Sequence, residues 1–157
     1  MSNRKNAILV VDDDKSIRTT LAALFEQEGY DVDTAENGKE AIEKSNNKFF
    51  DLALVDVRLP DMYGTELLNA MKETTPKMSK IILTGYPSMQ SAITAVNEGA
   101  DGYILKPVDA GKLLGSIKDH LKRREDVIRY SEQKVVEYIE TRARELGRGK
   151  PETKPTQ

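Results

Sequence analysis

Residues 8–14 read ILVVDDD and residues 52–56 read LALVD, so each is a short run of aliphatics that ends on a carboxylate. Two more runs share the build: IILT at 81–84 ends on a hydroxyl, and GYILKP at 102–107 ends on a lysine and a proline. A fifth, VDTA at 32–35, is more polar. Runs nearly continuous in Ile, Leu and Val suit strands buried on both faces, as in a parallel sheet covered by helices. The predicted strands are therefore 7–11, 32–35, 52–55, 81–83 and 102–105.

Amphipathic stretches lie between and after these runs. Ile17, Leu21 and Leu24 repeat at helical spacing, and Gly29 follows where a left-handed C′ residue ends a helix. Asn37 is placed to cap a second helix carrying Ala41 and Ile42. Leu67, Leu68 and Met71 mark a third, ending before Pro76. Met89, Ile93 and Val96 mark a fourth, stopped by Gly99. Asp109 is placed to cap a fifth, with Leu113, Leu114, Ile117 and Leu121 facing inward. Alternating strands and helices imply a doubly wound α/β sheet with right-handed crossovers.

Composition narrows the chemistry. The 157 residues include no Cys and one His, which excludes disulfides, thiol nucleophiles and multi-histidine metal sites. The longest apolar run, Ala7–Val11, is far below the roughly 18 residues of a membrane span, and the polar start resembles no secretory signal. A cytoplasmic protein is expected. Charge is uneven: residues 1–117 hold 13 basic and 18 acidic side chains, residues 118–157 hold 11 and 8. An acidic body with a mildly basic tail indicates two functional parts.

Parallel α/β sheets gather ligands at the carboxyl ends of their strands. Asp12, Asp13 and Asp14 follow the first strand, Asp56 the third, Thr84 the fourth, and Lys106 and Pro107 the fifth. These distant positions converge on one rim only if the sheet is parallel. Asp13 and Asp56 would then set hard oxygens side by side, a repulsion that a divalent cation resolves; oxygen ligands with retained waters suit Mg²⁺. Asp12 stays near as a second acidic group, and Asp14 is better placed to begin the helix. Asp56 is the candidate nucleophile, since a carboxylate can attack phosphorus and form an acyl phosphate. Lys106 offers a point charge and Thr84 a hydroxyl to the equatorial phosphoryl oxygens.

The chain resembles the receiver domains of two-component response regulators. The resemblance rests on ILVVDDD at 8–14, LALVDVRLPDMYG at 52–64, IILTGY at 81–86 and GADGYILKPV at 99–108, and covers about residues 5–123. It implies a flavodoxin-like sheet of order 2-1-3-4-5, a backbone-carbonyl metal ligand at Arg58, a cis Lys106–Pro107 bond, and phosphorylation of Asp56 by a phosphohistidine on a sensor histidine kinase. It also implies a switch in which Thr84 moves toward the phosphate and Tyr103 turns inward, changing the partner preference of the surface made by the fourth helix, fifth strand and fifth helix. Arg58 and Tyr86 occupy the positions that tune phosphate lifetime in receivers; both are bulky, which implies slow self-hydrolysis. A receiver is a signalling module rather than a turnover enzyme.

Two other classes fit less well. A flavodoxin-like nucleotide or flavin binder wants a Gly- or Ser/Thr-rich phosphate loop where this chain has three aspartates. An aspartyl-phosphate phosphatase of the haloacid-dehalogenase type wants a second Asp where Arg58 stands. A receiver excised from a larger transcription regulator remains an alternative. His120 has no evident partner and is read as solvated.

From Ser116 to Leu146 there is no Gly and no Pro, 31 residues or about 46 Å of helix. About half of that covers a sheet face. The expected organisation is a receiver over 1–123, a helical extension or linker over 124–147 and a disordered tail over 148–157. Ile128, Val135, Ile139, Ala143 and Leu146 form a narrow apolar seam with charged flanks, expected to bind a second copy or an output protein. One helix is too little for a DNA-reading module, so none is expected in this chain.

Overall fold

A computed structural model describes residues 4–71, 77–85, 88–107 and 109–153. Strands β1 (Ala7–Val11), β2 (Asp31–Ala35), β3 (Leu52–Asp56), β4 (Ser79–Thr84) and β5 (Gly102–Leu105) alternate with helices α1 (Lys15–Gln27), α2 (Gly38–Asn47), α3 (Gly64–Ala70), α4 (Met89–Asn97) and α5 (Ala110–Thr153). All four strand pairings are parallel, and the order is β2-β1-β3-β4-β5, as expected. Every residue of β1, β3 and β4 is buried, which explains their near-continuous aliphatic runs.

Successive strand side chains point to opposite faces, so the sheet carries two cores. Leu9, Val11, Ala53, Val55 and Ile82 pack with Ala41 of α2, Leu67 and Leu68 of α3 and Ala95 of α4. Ile8, Val10, Leu52, Leu54, Ile81 and Leu83 pack with Leu21 and Phe25 of α1 and with Leu113, Ile117 and Leu121 of α5.

The helix ends follow their local chemistry. Asp14 accepts from the backbone N–H groups of Ser16 and Ile17 at the start of α1, and Asn37 accepts from that of Glu40 at the start of α2. Asp109 accepts from Lys112 N–H at the start of α5. Gly29 and Gly99 both have positive φ, 94° and 97°, beyond the ends of α1 and α4. The expected end of α3 before Pro76 lies outside the described residues.

Met89, Ile93 and Val96 mark α4 as expected but are exposed, and among the described residues of α4 Ala95 is the one in the core. One reading changes. His120, half-exposed, does have partners: Nδ1 lies 2.8 Å from Ser116 O and Nε2 3.2 Å from Asp101 O, with the ring packed over Gly102.

The chain divides into two compact units, Met1–Leu121 and Lys122–Gln157. The first holds the sheet and both cores. The second continues α5, which reaches Thr153. Residues 148–153, expected to be disordered, are thus helical: lengthening an existing helix needs no new nucleus, so a composition too polar to build a core can still extend one. Along the second unit run exposed ion pairs, Glu125–Arg129 at 3.0 Å, Lys134–Glu137 at 3.6 Å and Arg142–Glu145 at 3.1 Å. Each contributes only tenths of a kcal/mol. Val127, Tyr130, Val135, Val136, Tyr138, Ile139 and Leu146 are exposed there.

Candidate functional site

The carboxyl ends of β1, β3, β4 and β5 bring Asp12, Asp56, Thr84 and Lys106 to one rim. Register fixes this: Val11 of β1 lies beside Val55 of β3, Asp56 beside Leu83 of β4, and Thr84 beside Leu105 of β5. The Lys106 N–H donates to Thr84 O at 2.7 Å, locking the last two strand ends together. The Lys106–Pro107 bond is cis.

Asp12, Asp13 and Asp56 each offer a carboxylate oxygen within 4.8 Å of the others. Asp12 and Asp56 are buried and Asp13 is exposed. Lys106 Nζ lies 2.9 Å from Asp12 Oδ2 and 3.5 Å from Asp56 Oδ2. The lysine therefore sits closer to Asp12 than to the expected acceptor, a preference that residue order does not reveal. Asp14 turns away to cap α1, as expected from its position.

Burial, and then the charge of Asp12, push the Asp56 carboxyl above its ordinary pKa; Lys106 and the Arg58 N–H, 3.5 Å from Oδ1, act against them. Burial works against the Lys106 ammonium, but hydrogen bonding and attraction to Asp12, with attraction to Asp56, leave its pKa raised. Lys106 is thus held protonated beside two buried carboxylates.

Thr84 is fully buried at the end of β4. Tyr103 on β5 is half-buried against the α2–α3–α4 side of the core. The Arg58 side chain is exposed, and its backbone bridges to Tyr63. Tyr86 lies outside the described residues.

Three contributors were not singled out in the sequence. Arg18, one turn into α1, donates from Nη1 to Asp12 O at 2.8 Å and ties the helix to the acidic corner. Asp61, in the loop after β3, accepts from Gly38 and Lys39 N–H at 2.9 Å each, which holds its carboxyl below the ordinary range. Gly64 opens α3 against the backbone of Asp56, where a Cβ would collide with the Asp56 carbonyl oxygen. The Gly at the end of 52–64 was the available signal, but what it avoids is visible only in space.

The response regulator receiver domain family matches residues 8–118. The regulator ZraR of Klebsiella oxytoca is 41% identical over 137 residues, 87% of this chain and 30% of that protein. The chain therefore spans less than a third of that relative's length. A CheY-like receiver domain protein from Methanospirillum hungatei JF-1 has a solved structure 44% identical to this chain, with TM-score 0.76, covering 78% of this chain and 98% of its own. The beryllofluoride-activated NtrC4 receiver domain dimer is 36% identical with TM-score 0.70, covering 75% of this chain and 98% of its own. Fold, strand-end residues and family match agree: the chain belongs to the response regulator receiver domains of two-component systems. Receivers of this class act with histidine kinases and output domains. Among the described residues no helix is long and apolar enough to cross a membrane.

Proposed function

We propose that this receiver accepts a phosphoryl group on Asp56 from the phosphohistidine of a sensor histidine kinase, in a Mg²⁺-dependent reaction in the cytoplasm. The observation that carries the reading is the Asp56 carboxylate, seated beside Asp12 and Asp13 with the Lys106 ammonium 3.5 Å away.

The residues fit Mg²⁺. Three carboxylates crowd within 4.8 Å with one ammonium among them, a hard-oxygen set with surplus negative charge. Asp13, Asp56 and the Arg58 carbonyl would hold the ion, with Asp12 orienting a bound water. When bound, Mg²⁺ supplies positive charge to the transferring phosphoryl oxygens. In the transfer, an Asp56 oxygen forms the new P–O bond as the P–N bond to histidine breaks, and the imidazole leaves as the neutral ring once protonated. Lys106 balances charge on the equatorial oxygens, and the Thr84 hydroxyl donates to one of them.

The protein then signals rather than turning over substrate; its own phosphorylation and dephosphorylation are its only chemistry. Thr84 and Tyr103 carry the switch. Met89, Ile93 and Val96 of α4 and Leu105 of β5 are exposed, an apolar surface suited to a partner. The α5 extension associates with a second copy or with an output protein.

The test is incubation with Mg²⁺ and acetyl phosphate, followed by intact mass. One phosphoryl adduct is expected, absent in Asp56→Asn and after EDTA. An adduct of equal yield in Asp56→Asn would sink the assignment.

A further inference from the structure

Residues 12–18 read DDDKSIR, so a basic side chain follows the three aspartates within two turns of chain. The Arg18 N–H donates to Asp14 O at 3.0 Å and closes the first turn of α1. Side chains on a helix lean toward its N-terminus. Arg18 therefore reaches back past the cap to the end of β1, where Nη1 donates to Asp12 O at 2.8 Å. Its side chain is 15% exposed, and its carboxylate partner is the exposed Glu36, with Nη2 3.7 Å from Oε2.

The carbonyl that Arg18 holds belongs to the peptide joining Asp12 to Asp13. The Asp12 side chain is held separately: Oδ1 accepts from Asp14 N–H at 2.9 Å and Oδ2 from Lys106 Nζ at 2.9 Å. The Asp13 carboxylate differs. It is exposed, and among the described residues nothing bonds it. Its direction comes from the backbone that carries it, and that backbone begins at the peptide held by Arg18.

We propose that Arg18 is a positioning residue for the divalent-cation site: by holding the Asp12–Asp13 peptide it aims the Asp13 carboxylate at the corner shared with Asp12 and Asp56. The inference rests on the Mg²⁺-dependent reading above. Arg18 acts through the peptide and not on the ion or the phosphoryl group.

Charge alone gives the opposite sign. Arg18 is a fixed positive charge beside an acidic corner, and it repels an incoming cation, so its removal should tighten Mg²⁺ binding. A positioning role makes removal loosen it, because a ligand no longer held by the group behind it must be ordered by the ion itself. The direction of the change decides between the two.

The test is Mg²⁺ titration of the full chain, followed by NMR amide shifts. Arg18→Met keeps the apolar stem and removes the charge and the donors. It is expected to bind Mg²⁺ about tenfold more weakly, the usual loss when a group behind a metal ligand is removed. Arg18→Gln, polar and neutral, should show the same loss and stands in if the Met variant melts early. Arg18→Lys keeps the charge and a donor but not the fork, and should recover part of the loss. Glu36→Gln breaks the ion pair, leaves the carbonyl contact and should bind Mg²⁺ as the parent does.

Phosphorylation by acetyl phosphate supplies a second readout. In Arg18→Met the Mg²⁺ concentration for half-maximal rate should rise by the same factor, while the rate at saturating Mg²⁺ stays within about twofold of the parent. Unchanged or tighter Mg²⁺ binding in the Met and Gln variants would overturn the proposal. So would a lower saturated rate at an unchanged Mg²⁺ requirement, or an equal loosening in Glu36→Gln. A parent chain that takes up no Mg²⁺ sinks the underlying reading and this inference with it. A parent that binds Mg²⁺ and gains phosphoryl on Asp56, with Arg18→Met unaltered in both, sinks this inference alone.

Discussion

Asp56 is held where ionisation is disfavoured, by burial and by Asp12. Its folded-state pKa lies above the unfolded value, so the folded state binds the proton more tightly. Stability from this group is therefore greatest below the unfolded pKa and falls as pH rises through the folded one. Asp56→Asn removes the buried charge and leaves Lys106 its closer partner, Asp12 at 2.9 Å. The variant is expected to be more stable at pH 7 by about 0.5–2 kcal/mol, the usual gain when a functional residue's strain is relieved. The gain should shrink as pH falls through the carboxylate range. Urea unfolding at pH 7 and pH 4 without divalent ions checks both; a less stable variant at pH 7 would contradict the electrostatic account. The residues at the strand ends were legible in the sequence, because an Asp, Thr or Lys closing an aliphatic run is plainly written. Which aspartate Lys106 prefers was not, because it depends on burial and side-chain reach rather than order.

At the scale of elements, the strands were the most legible, since burial on both faces leaves almost no choice of residue. The helices were legible in position but less so in orientation. Met89, Ile93 and Val96 mark α4, yet the fold buries small Ala95 and leaves the larger residues exposed. A stripe marks a helix but does not say which side meets the sheet. The turn into α3 carries a sharper constraint. Gly64 N–H donates to Val57 O at 2.7 Å, and its α-carbon faces the Asp56 carbonyl. Gly64→Ala must displace that backbone, so a loss of about 1–3 kcal/mol is expected. Because the displaced carbonyl belongs to Asp56, phosphorylation by acetyl phosphate should slow as well. Thermal melting with intact-mass kinetics checks the pair; an unchanged melting temperature would show that the turn yields freely.

Across the whole molecule, the sheet and both cores fall within Met1–Leu121, and the last core residue of α5 is Leu121. A chain ending at Arg124 is therefore expected to fold with a melting temperature within a few degrees of the full chain and to take up phosphoryl on Asp56. It should be monomeric where the full chain self-associates. Calorimetry with light scattering measures both, and loss of folding on truncation would show that the extension supports the core. The extension's helical course was legible from the absence of Gly and Pro between Ser116 and Leu146. Its continuation through Gly147 and Pro151 to Thr153 was not.

The strand order also has a bearing on how the chain emerges during synthesis. β1 is made first and pairs with β2; β3 then joins on the other side of β1, and β4 and β5 follow, each beside the strand before it. The growing sheet thus has one finished border and one open border that moves outward with translation, at roughly 5–20 residues per second. The face carrying Ile8, Leu54 and Ile81 has only α1 to shelter it until Leu113, Ile117 and Leu121 are made. Until those residues of α5 are made, that aliphatic face lacks part of its cover and the last strand has an unpaired edge. α5 closes that window.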